Sequence, residues 1–185
     1  MVGIIKESGN TEMTAGAIAD LDKICRDGTT LKGVPSAYIF AYTVTDVSLT
    51  NATTWYPILF DSAAVAKKGF THDHTTDPEE ITVTATGLYM INYMVSAYAS
   101  GSIQGHFAAH VTDDGSEIVG SFADSHRGEL RCIDNNIVAS ITAGSVLVLE
   151  AGGSVAAMKV NAYDYSYMPN PTYRPVATIM IVRVD

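Results

Sequence analysis

The most constraining feature of this sequence is a series of short segments, rich in β-branched and aromatic residues, that fills the chain after Pro35. Turn signals separate these segments at intervals of roughly 8 to 12 residues. The period of an amphipathic helix is absent from this region. The pattern therefore predicts an all-β protein, with an antiparallel sandwich or jelly roll over residues 35–185. The predicted strands cover residues 37–47, 54–60, 81–97, 105–111, 117–122, 137–141, 145–150, 155–160 and 176–184.

Residues 1–34 have a different pattern, because the one clear helical signal of the chain lies at residues 11–25. Apolar residues recur there at spacings of three and four, which predicts a short helix with one apolar stripe. A helix of about 15 residues is marginal alone, so we expect it to pack on another surface. The region is interpreted as an arm that either anchors the chain to a larger assembly or closes the base of its own oligomer. The anchoring side chains would be Ile4, Ile5, Met13, Ile18 and Leu21.

The composition indicates a packed protein with few charges. Hydrophobic residues make up 47% of the 185 residues and charged residues 17%, unlike a disordered chain. The formal net charge of -9 argues against nucleic acid as a partner, since phosphate binding requires clustered Lys and Arg. Cys25 and Cys132 match no zinc or disulfide pattern, so we expect two reduced, packed thiols.

No segment of the sequence resembles a membrane anchor or an export signal. The chain lacks a run of about 18 apolar residues, which a membrane-spanning helix would need. Its first residues lack the basic and apolar regions of a signal peptide. We therefore expect no membrane partner, and a protein made in a reducing compartment or released from one by lysis.

Several segments resemble the signature of a known family of jelly rolls. Residues 87–93 read GLYMINY, similar to the G-x-Y-x-F-x-Y signature of complement-type globular heads and tumour-necrosis-factor-like domains. Residues 149–155 resemble the later L-x-x-G-D-x-V, with Gly153 in place of Asp, and residues 35–40 resemble the first strand of the family. The resemblance extends over residues 35–185. It implies a non-catalytic domain that forms homotrimers around a three-fold axis, with one sheet of each sandwich facing the axis.

The segment at residues 81–97 is apolar on two faces, which is unusual for a strand of an acidic protein. Its odd positions are apolar almost throughout, whereas its even positions become apolar only after Gly87. We interpret the odd face as core and the even face as a subunit contact. The alternative is cover by a loop or by the N-terminal helix of the same chain. The predicted trimer interface comprises Leu88, Met90 and Met94, with Tyr89 and Tyr93 of the same segment.

The histidines give two candidate metal sites. His72 and His74, with Asp77 nearby, would place two imidazoles on one side of an extended segment, but a solvated polar loop is the favoured interpretation. His106 and His110 would share one face of a strand about 13 Å apart, too far for one ion. We therefore expect no bound metal and no other cofactor.

Two further motifs have weak catalytic or calcium-binding character. Ser154 lies in the sequence GGSVA, but it falls between two predicted strands and no histidine follows it, so it does not form a nucleophile elbow. Asp113, Asp114 and Gly115 lack the ligand spacing of a calcium loop and predict a hairpin turn instead. No combination of residues supports catalysis, and we expect a protein that is not an enzyme.

A tyrosine-rich segment precedes the last strand. Tyr163, Tyr165 and Tyr167 alternate onto one face, and a proline-rich loop that contains Tyr173 follows. Tyrosine offers a large contact area with little side-chain entropy to lose. Contact with a glycan or a neighbouring subunit is one interpretation of this segment, and ordinary packing of an edge strand is the other.

These features favour a non-enzymatic, trimeric structural protein of a virion. We expect a bacteriophage head-decoration protein or a short head fibre, made in the host cytoplasm and attached to a capsid shell through its N-terminal arm. The acidity suits an outer surface away from packaged DNA. One alternative is a receptor- or glycan-binding tip of a phage tail or bacterial surface protein. Another is an enzyme of the double-stranded jelly-roll kind with a histidine-rich metal site.

Overall fold

The computed structural model of the chain describes residues 35–62, 66–99, 105–126, 130–154, 158–161 and 175–185, together with four two-residue strands before residue 35. The chain divides into two compact units, Met1–Pro35 and Ser36–Asp185. Every regular element within the described residues is a strand, and the strands pair in antiparallel fashion. The predicted all-β antiparallel fold class is therefore confirmed.

The first unit contains two small antiparallel pairs. Strand β1 (Ile5–Lys6) pairs with β2 (Glu12–Met13), and β3 (Arg26–Asp27) pairs with β4 (Thr30–Leu31). Most of the helix predicted over residues 11–25 lies outside the described residues, and the two residues of it that are described, Glu12 and Met13, form a strand instead. The backbone of Glu12–Met13 is hydrogen-bonded to a neighbouring strand and cannot also form the first turn of a helix.

The proposed anchor falls largely outside the described residues, which is where Ile4, Ile18 and Leu21 lie. Ile5 and Met13 are in strands and stand directly opposite each other in the β1–β2 pair. The anchoring role of these five residues stays a prediction.

The second unit is a sandwich built from the strands that follow Pro35. Their bounds are β5 (Tyr38–Thr43), β6 (Val47–Leu49), β7 (Trp55–Pro57), β8 (Ala66–Lys68), β9 (Phe70–Thr71), β10 (Ile81–Val83), β11 (Gly87–Ala99), β12 (His106–Asp113), β13 (Ser116–Glu117), β14 (Ala123–His126), β15 (Leu130–Ile141), β16 (Val146–Gly153), β17 (Met158–Val160) and β18 (Ala177–Arg183).

These strands form two seven-stranded sheets. Sheet I has the order β13-β12-β16-β10-β9, with β14 also paired to β12 and β7 to β16. Sheet II has the order β6-β17-β11-β18-β5-β8, with β15 also paired to β11. Strands distant in the chain, such as β5 and β18, are neighbours, which is the connectivity of a jelly roll rather than of a simple meander.

The segment at residues 81–97, predicted as a single strand, is two strands in different sheets. β10 pairs with β16 in sheet I, and β11 pairs with β15 and β18 in sheet II. Residues 84–86 connect them outside any strand. This division explains the change of pattern at Gly87, because the apolar even positions that follow belong to a sheet with a different outer face.

The core between the sheets takes alternate side chains from each strand, as the pleat requires. In β11, Tyr89, Ile91, Tyr93 and Val95 are all fully buried, so the interpretation of the odd positions as core is confirmed. The placement of Tyr89 and Tyr93 in a trimer interface is wrong, because the core of their own chain already encloses both side chains.

Hydrogen bonds fix the two buried tyrosines. The hydroxyl of Tyr89 donates to the carbonyl oxygen of Ala85 at 2.6 Å, and the hydroxyl of Tyr93 lies 3.0 Å from the carbonyl oxygen of Ala109 and also close to that of Ser121. Burial disfavours the phenolate form and raises the pKa of Tyr93 to about 12. Burial also raises the pKa of Tyr89.

Candidate functional site

The outer face of sheet II carries a continuous set of apolar side chains that the strand register brings together. Met90 of β11 stands opposite Val138 of β15 on one side and Val182 of β18 on the other. Tyr38 of β5 continues the row beyond Val182. Directly opposed residues share one face of a sheet with their Cβ atoms about 5 Å apart, so these side chains are neighbours.

A second row lies one pleat further along the same face. Met180 of β18 stands between Asn92 of β11 and Phe40 of β5. Leu88 and Met94 extend the apolar surface along β11 in both directions. We call this surface the sheet II face and define it by Tyr38, Phe40, Leu88, Met90, Met94, Val138, Met180 and Val182.

The sheet II face is only partly covered by the described residues of its own chain. Val138 is 58% exposed, Leu88 40% and Met180 36%, while Met90 and Met94 are half-buried. A contiguous patch of large apolar side chains is characteristic of an interaction site, unlike single exposed apolar residues. The face is therefore the strongest candidate for a contact with another protein surface.

The predicted interface did not include several residues of the sheet II face, namely Val138, Met180, Val182 and the aromatic residues of β5. Their strands do carry a signal, since β18 is apolar on both faces, as β11 is. In β5, Tyr38 and Phe40 alternate with residues of the buried face. The missing information was the register, because β5, β15 and β18 are far from β11 along the chain.

His72 and His74 differ in burial and do not share one side of a strand. His72 is 5% exposed, and its ring nitrogens lie 2.9 Å from the carbonyl oxygen of Glu80 and 3.1 Å from that of Phe60. His74 is exposed. The solvated-loop interpretation is wrong for His72, whose ring links two backbone segments, and correct for His74. Among the described residues, no group of three or more His, Cys, Asp or Glu side chains is suited to a metal ion.

A second buried histidine lies in sheet I. His110 of β12 is 4% exposed, with one ring nitrogen 3.1 Å from the carboxylate of Glu117 and the other 3.0 Å from that of Glu150. The indole of Trp55 stacks on its ring, with centroids 4.0 Å apart and planes 26° apart. Both ring nitrogens and one ring face are thus engaged, and the imidazole holds the indole in place.

Sheet I forms a groove beside this indole, with a volume of about 300 Å³. Ala108 and Gly152 stand opposite each other in its floor, and Trp55 pairs with Gly152 from the neighbouring strand. Phe122 lies edge-on to Trp55, with ring centroids 6.3 Å apart. We call this concavity the Trp55 groove, lined by Thr53, Thr54, Trp55, His106, Ala108, Phe122, Gly152, Gly153 and Ser154.

The remaining motifs have structural roles. The hydroxyl of Ser154 accepts a hydrogen bond from the backbone N–H of His106 at 2.8 Å. Asp114 (φ 49°) and Gly115 (φ 78°) form the turn between β12 and β13. Positive φ at both central residues is what a two-residue hairpin loop requires, so the predicted hairpin is confirmed.

Some sequence candidates lie outside the described residues, namely Cys25, Tyr163, Tyr165, Tyr167 and Tyr173. Cys132 of β15 is a free thiol, as expected, but it is exposed rather than packed. No helix in the part of the chain that the structure describes is long and apolar enough to cross a membrane.

Comparison with known proteins identifies the fold. No family model matches the sequence, and no curated protein sequence matches it significantly. Two solved structures of murine APRIL, determined at pH 5.0 and pH 8.5, superpose with TM-scores of 0.52 and 0.50. Sequence identity is 9% and 11%, and each match covers 80% of this chain and 98% of the APRIL chain. At this identity the likeness shows the fold alone, a tumour-necrosis-factor-like jelly roll.

Proposed function

We propose that this chain is a non-enzymatic structural protein that works as a homotrimer, with the sheet II face buried between subunits. The observation that carries the proposal is the sheet II face, which joins apolar side chains from β5, β11, β15 and β18 on a partly exposed surface. The motifs at residues 87–93 and 149–155 support it, since they resemble a non-catalytic family that forms homotrimers with one sheet facing the axis.

Burial of this face would stabilise the assembly. Removing apolar surface from water contributes about 25 cal/mol per Å², so truncating or charging a central side chain should have a large effect. Asn92 and Asn136 stand opposite each other within the face. Buried amides need hydrogen-bond partners, so this pair favours one specific subunit arrangement over non-specific association.

The proposal extends to a bacteriophage virion, in which the trimer would decorate and stabilise the capsid or form a short head fibre. Residues 1–34, a separate compact unit up to Pro35, would attach the trimer to the shell. The net charge of -9 favours a solvent-facing position away from packaged nucleic acid.

Two measurements test the two levels of this proposal separately. Light scattering of the purified full-length protein at micromolar concentration should give three times the 19.7 kDa mass of one chain. A monomer would contradict the trimer. Mass spectrometry of density-purified particles from the source should detect the chain, and detection only in the unassembled fraction would contradict the virion role.

A further inference from the structure

We propose that the Trp55 groove binds a neutral sugar residue, a hexopyranose within a glycan. This goes beyond the structural role proposed above, because the groove lies on sheet I and the subunit contact on sheet II. Neither surface depends on the other, so the protein could assemble and bind a glycan at the same time.

The groove exists because large aromatic residues stand beside small ones. In its floor, the small residues Ala108 and Gly152 stand opposite each other on two central strands. A Cβ atom at Gly152 would lie 3.0 Å from Cε3 of Trp55 and 3.2 Å from the carbonyl oxygen of Thr54. The missing side chain thus allows the indole to approach the sheet closely, and it keeps the space beside the indole open.

The indole is both accessible and fixed in position. Trp55 is 37% exposed, yet His110 stacks on it and is itself held between the carboxylates of Glu117 and Glu150. His110 stacks on the indole, whereas the groove is lined by Trp55 and not by His110. A preorganised aromatic surface loses little entropy on binding, and the C–H face of a pyranose packs well against such a ring.

The second aromatic wall is Phe122, which is 47% exposed and stands edge-on to Trp55. Two exposed aromatic side chains around a concavity are unusual for solvent-facing surface, where large apolar groups are normally scattered. Together they present apolar contact area on two sides of a volume of about 300 Å³. This is at the lower end of the range for small-molecule sites, which suits one sugar ring rather than a larger cofactor.

Polar groups at the rim match the hydroxyls of a sugar. Thr53 and Ser154 line the groove, and Nδ1 of His106 lies 3.4 Å from the carboxylate of Asp124. The hydroxyls of threonine and serine can donate hydrogen bonds to sugar hydroxyls and accept hydrogen bonds from them. The net charge of -9 disfavours an anionic ligand such as a sialylated or phosphorylated sugar, so the ligand is assigned as neutral.

Fluorescence of the single tryptophan of the chain reports on the groove directly. The full-length protein is titrated with methyl glycosides of neutral hexoses and N-acetylhexosamines, with sialic acid, and with indole as an apolar probe. A neutral sugar should shift the emission of Trp55 and saturate with a dissociation constant on the order of 1 mM, as expected for a ligand of this size. Saturation-transfer NMR should detect the bound ring protons.

Groove variants test the location. Ala108→Phe should fill the space and abolish the response, and Phe122→Ala should weaken binding about tenfold by removing one wall. The matched control is Val119→Ala, because Val119 is 95% exposed and lies outside the groove; it should bind as the unmodified protein does. If Ala108→Phe fails to fold, the comparison of Phe122→Ala with Val119→Ala still tests whether the sugar binds in the Trp55 groove.

No response to any neutral sugar would overturn the proposal, as would a response to sialic acid or indole alone. A response unchanged in both groove variants would overturn it as well. Light scattering on the same samples keeps this result separate from the proposed assembly. A trimer without sugar binding refutes only the groove, and a sugar-binding monomer refutes only the trimer.

Discussion

Met90 and Val138 stand directly opposite each other on the outer face of sheet II, one on β11 and the other on β15. Met90 is half-buried by its neighbours, whereas Val138 is 58% exposed. The sequence pattern of β11 already predicts that Met90 is part of a contact surface. Val138 joins this surface only through the pairing of β15 with β11.

Val138→Lys should convert the trimer to monomer. The side chain is largely exposed in the single chain, so the substitution should change the unfolding free energy of the monomer by less than about 0.5 kcal/mol. Burying an unpaired ammonium group in each subunit contact would cost several kcal/mol. Light scattering and urea unfolding measure the two effects. Val119→Lys is the control, since Val119 is 95% exposed and lies outside the face; a Val138→Lys protein that stays trimeric would exclude this contact.

Tyr93 should contribute to a loss of stability at alkaline pH. Its pKa in the folded chain is raised to about 12 by burial, above the value of about 10 expected after unfolding. The neutral phenol is thus favoured by the fold, and its contribution to stability is complete below pH 10 and is lost as the pH rises from 10 to 12. Urea unfolding across this range should show a smaller decline for Tyr93→Phe, and an equal decline would refute the assignment.

The same Tyr93→Phe substitution should lower stability at neutral pH. The hydroxyl lies 3.0 Å from the carbonyl oxygen of Ala109, and its loss leaves a buried acceptor without its donor, which costs about 1–3 kcal/mol. The trimer should persist, because Tyr93 is enclosed in its own chain. Urea unfolding at pH 7 with a parallel mass measurement tests both statements, and dissociation of the trimer would argue that Tyr93 does reach the interface.

His72→Ala and His74→Ala should differ sharply in stability although the residues are neighbours. His72 is buried and contacts the carbonyl oxygens of Glu80 and Phe60, so its removal should cost about 1–3 kcal/mol. His74 is exposed, and its removal should change the unfolding free energy by less than about 0.5 kcal/mol. Thermal or urea unfolding measures both, and equal effects would contradict the structural role of His72.

Gly69→Ala should be more damaging than Gly144→Ala. Both glycines have positive φ, 74° and 93°, so each substitution incurs a backbone strain of about 1 kcal/mol. Only at Gly69 would the new Cβ collide, at 2.5 Å from Cβ of Ala37, whereas nothing lies within 4 Å at Gly144. Gly69 joins β8 of sheet II to β9 of sheet I. In urea unfolding, the unfolding free energies of the two variants should differ by more than about 1 kcal/mol. Similar values would show that backbone strain alone accounts for the loss of stability.

Local patterns were sufficient for the fold class but not for the bounds of the strands. The alternation of residues 81–97 is continuous enough to suggest one strand, yet β10 and β11 belong to different sheets. The predicted strand at residues 137–141 is only the end of β15, which begins at Leu130. The first part of β15 is not predicted, because the apolar alternation is interrupted by the polar residues Asp134, Asn135 and Asn136. The backbone of these three residues nevertheless pairs with β11.

The histidines illustrate the same limit for side-chain roles. Spacing alone places His72 and His74 together, whereas packing buries one and exposes the other. The spacing of His106 and His110 predicts only that the two residues are too far apart to share a metal ion. The residues next to His110 do not predict its contacts with Trp55, Glu117 and Glu150. These contacts depend on the pairing of β13 and β16 with β12, and on the pairing of β7 with β16.

The sequence by itself determined an antiparallel jelly roll after residue 35, the hairpin at Asp114-Gly115 and the apolar outer positions of β11, because each of these follows from neighbouring residues. Only the tertiary structure decided that Val138, Met180 and Val182 join Met90, and that Ala108 and Gly152 open a groove beside Trp55. The physical reason is register. In a jelly roll the surfaces are assembled from strands distant in the chain, and a shift of one residue would turn every one of these side chains to the opposite face.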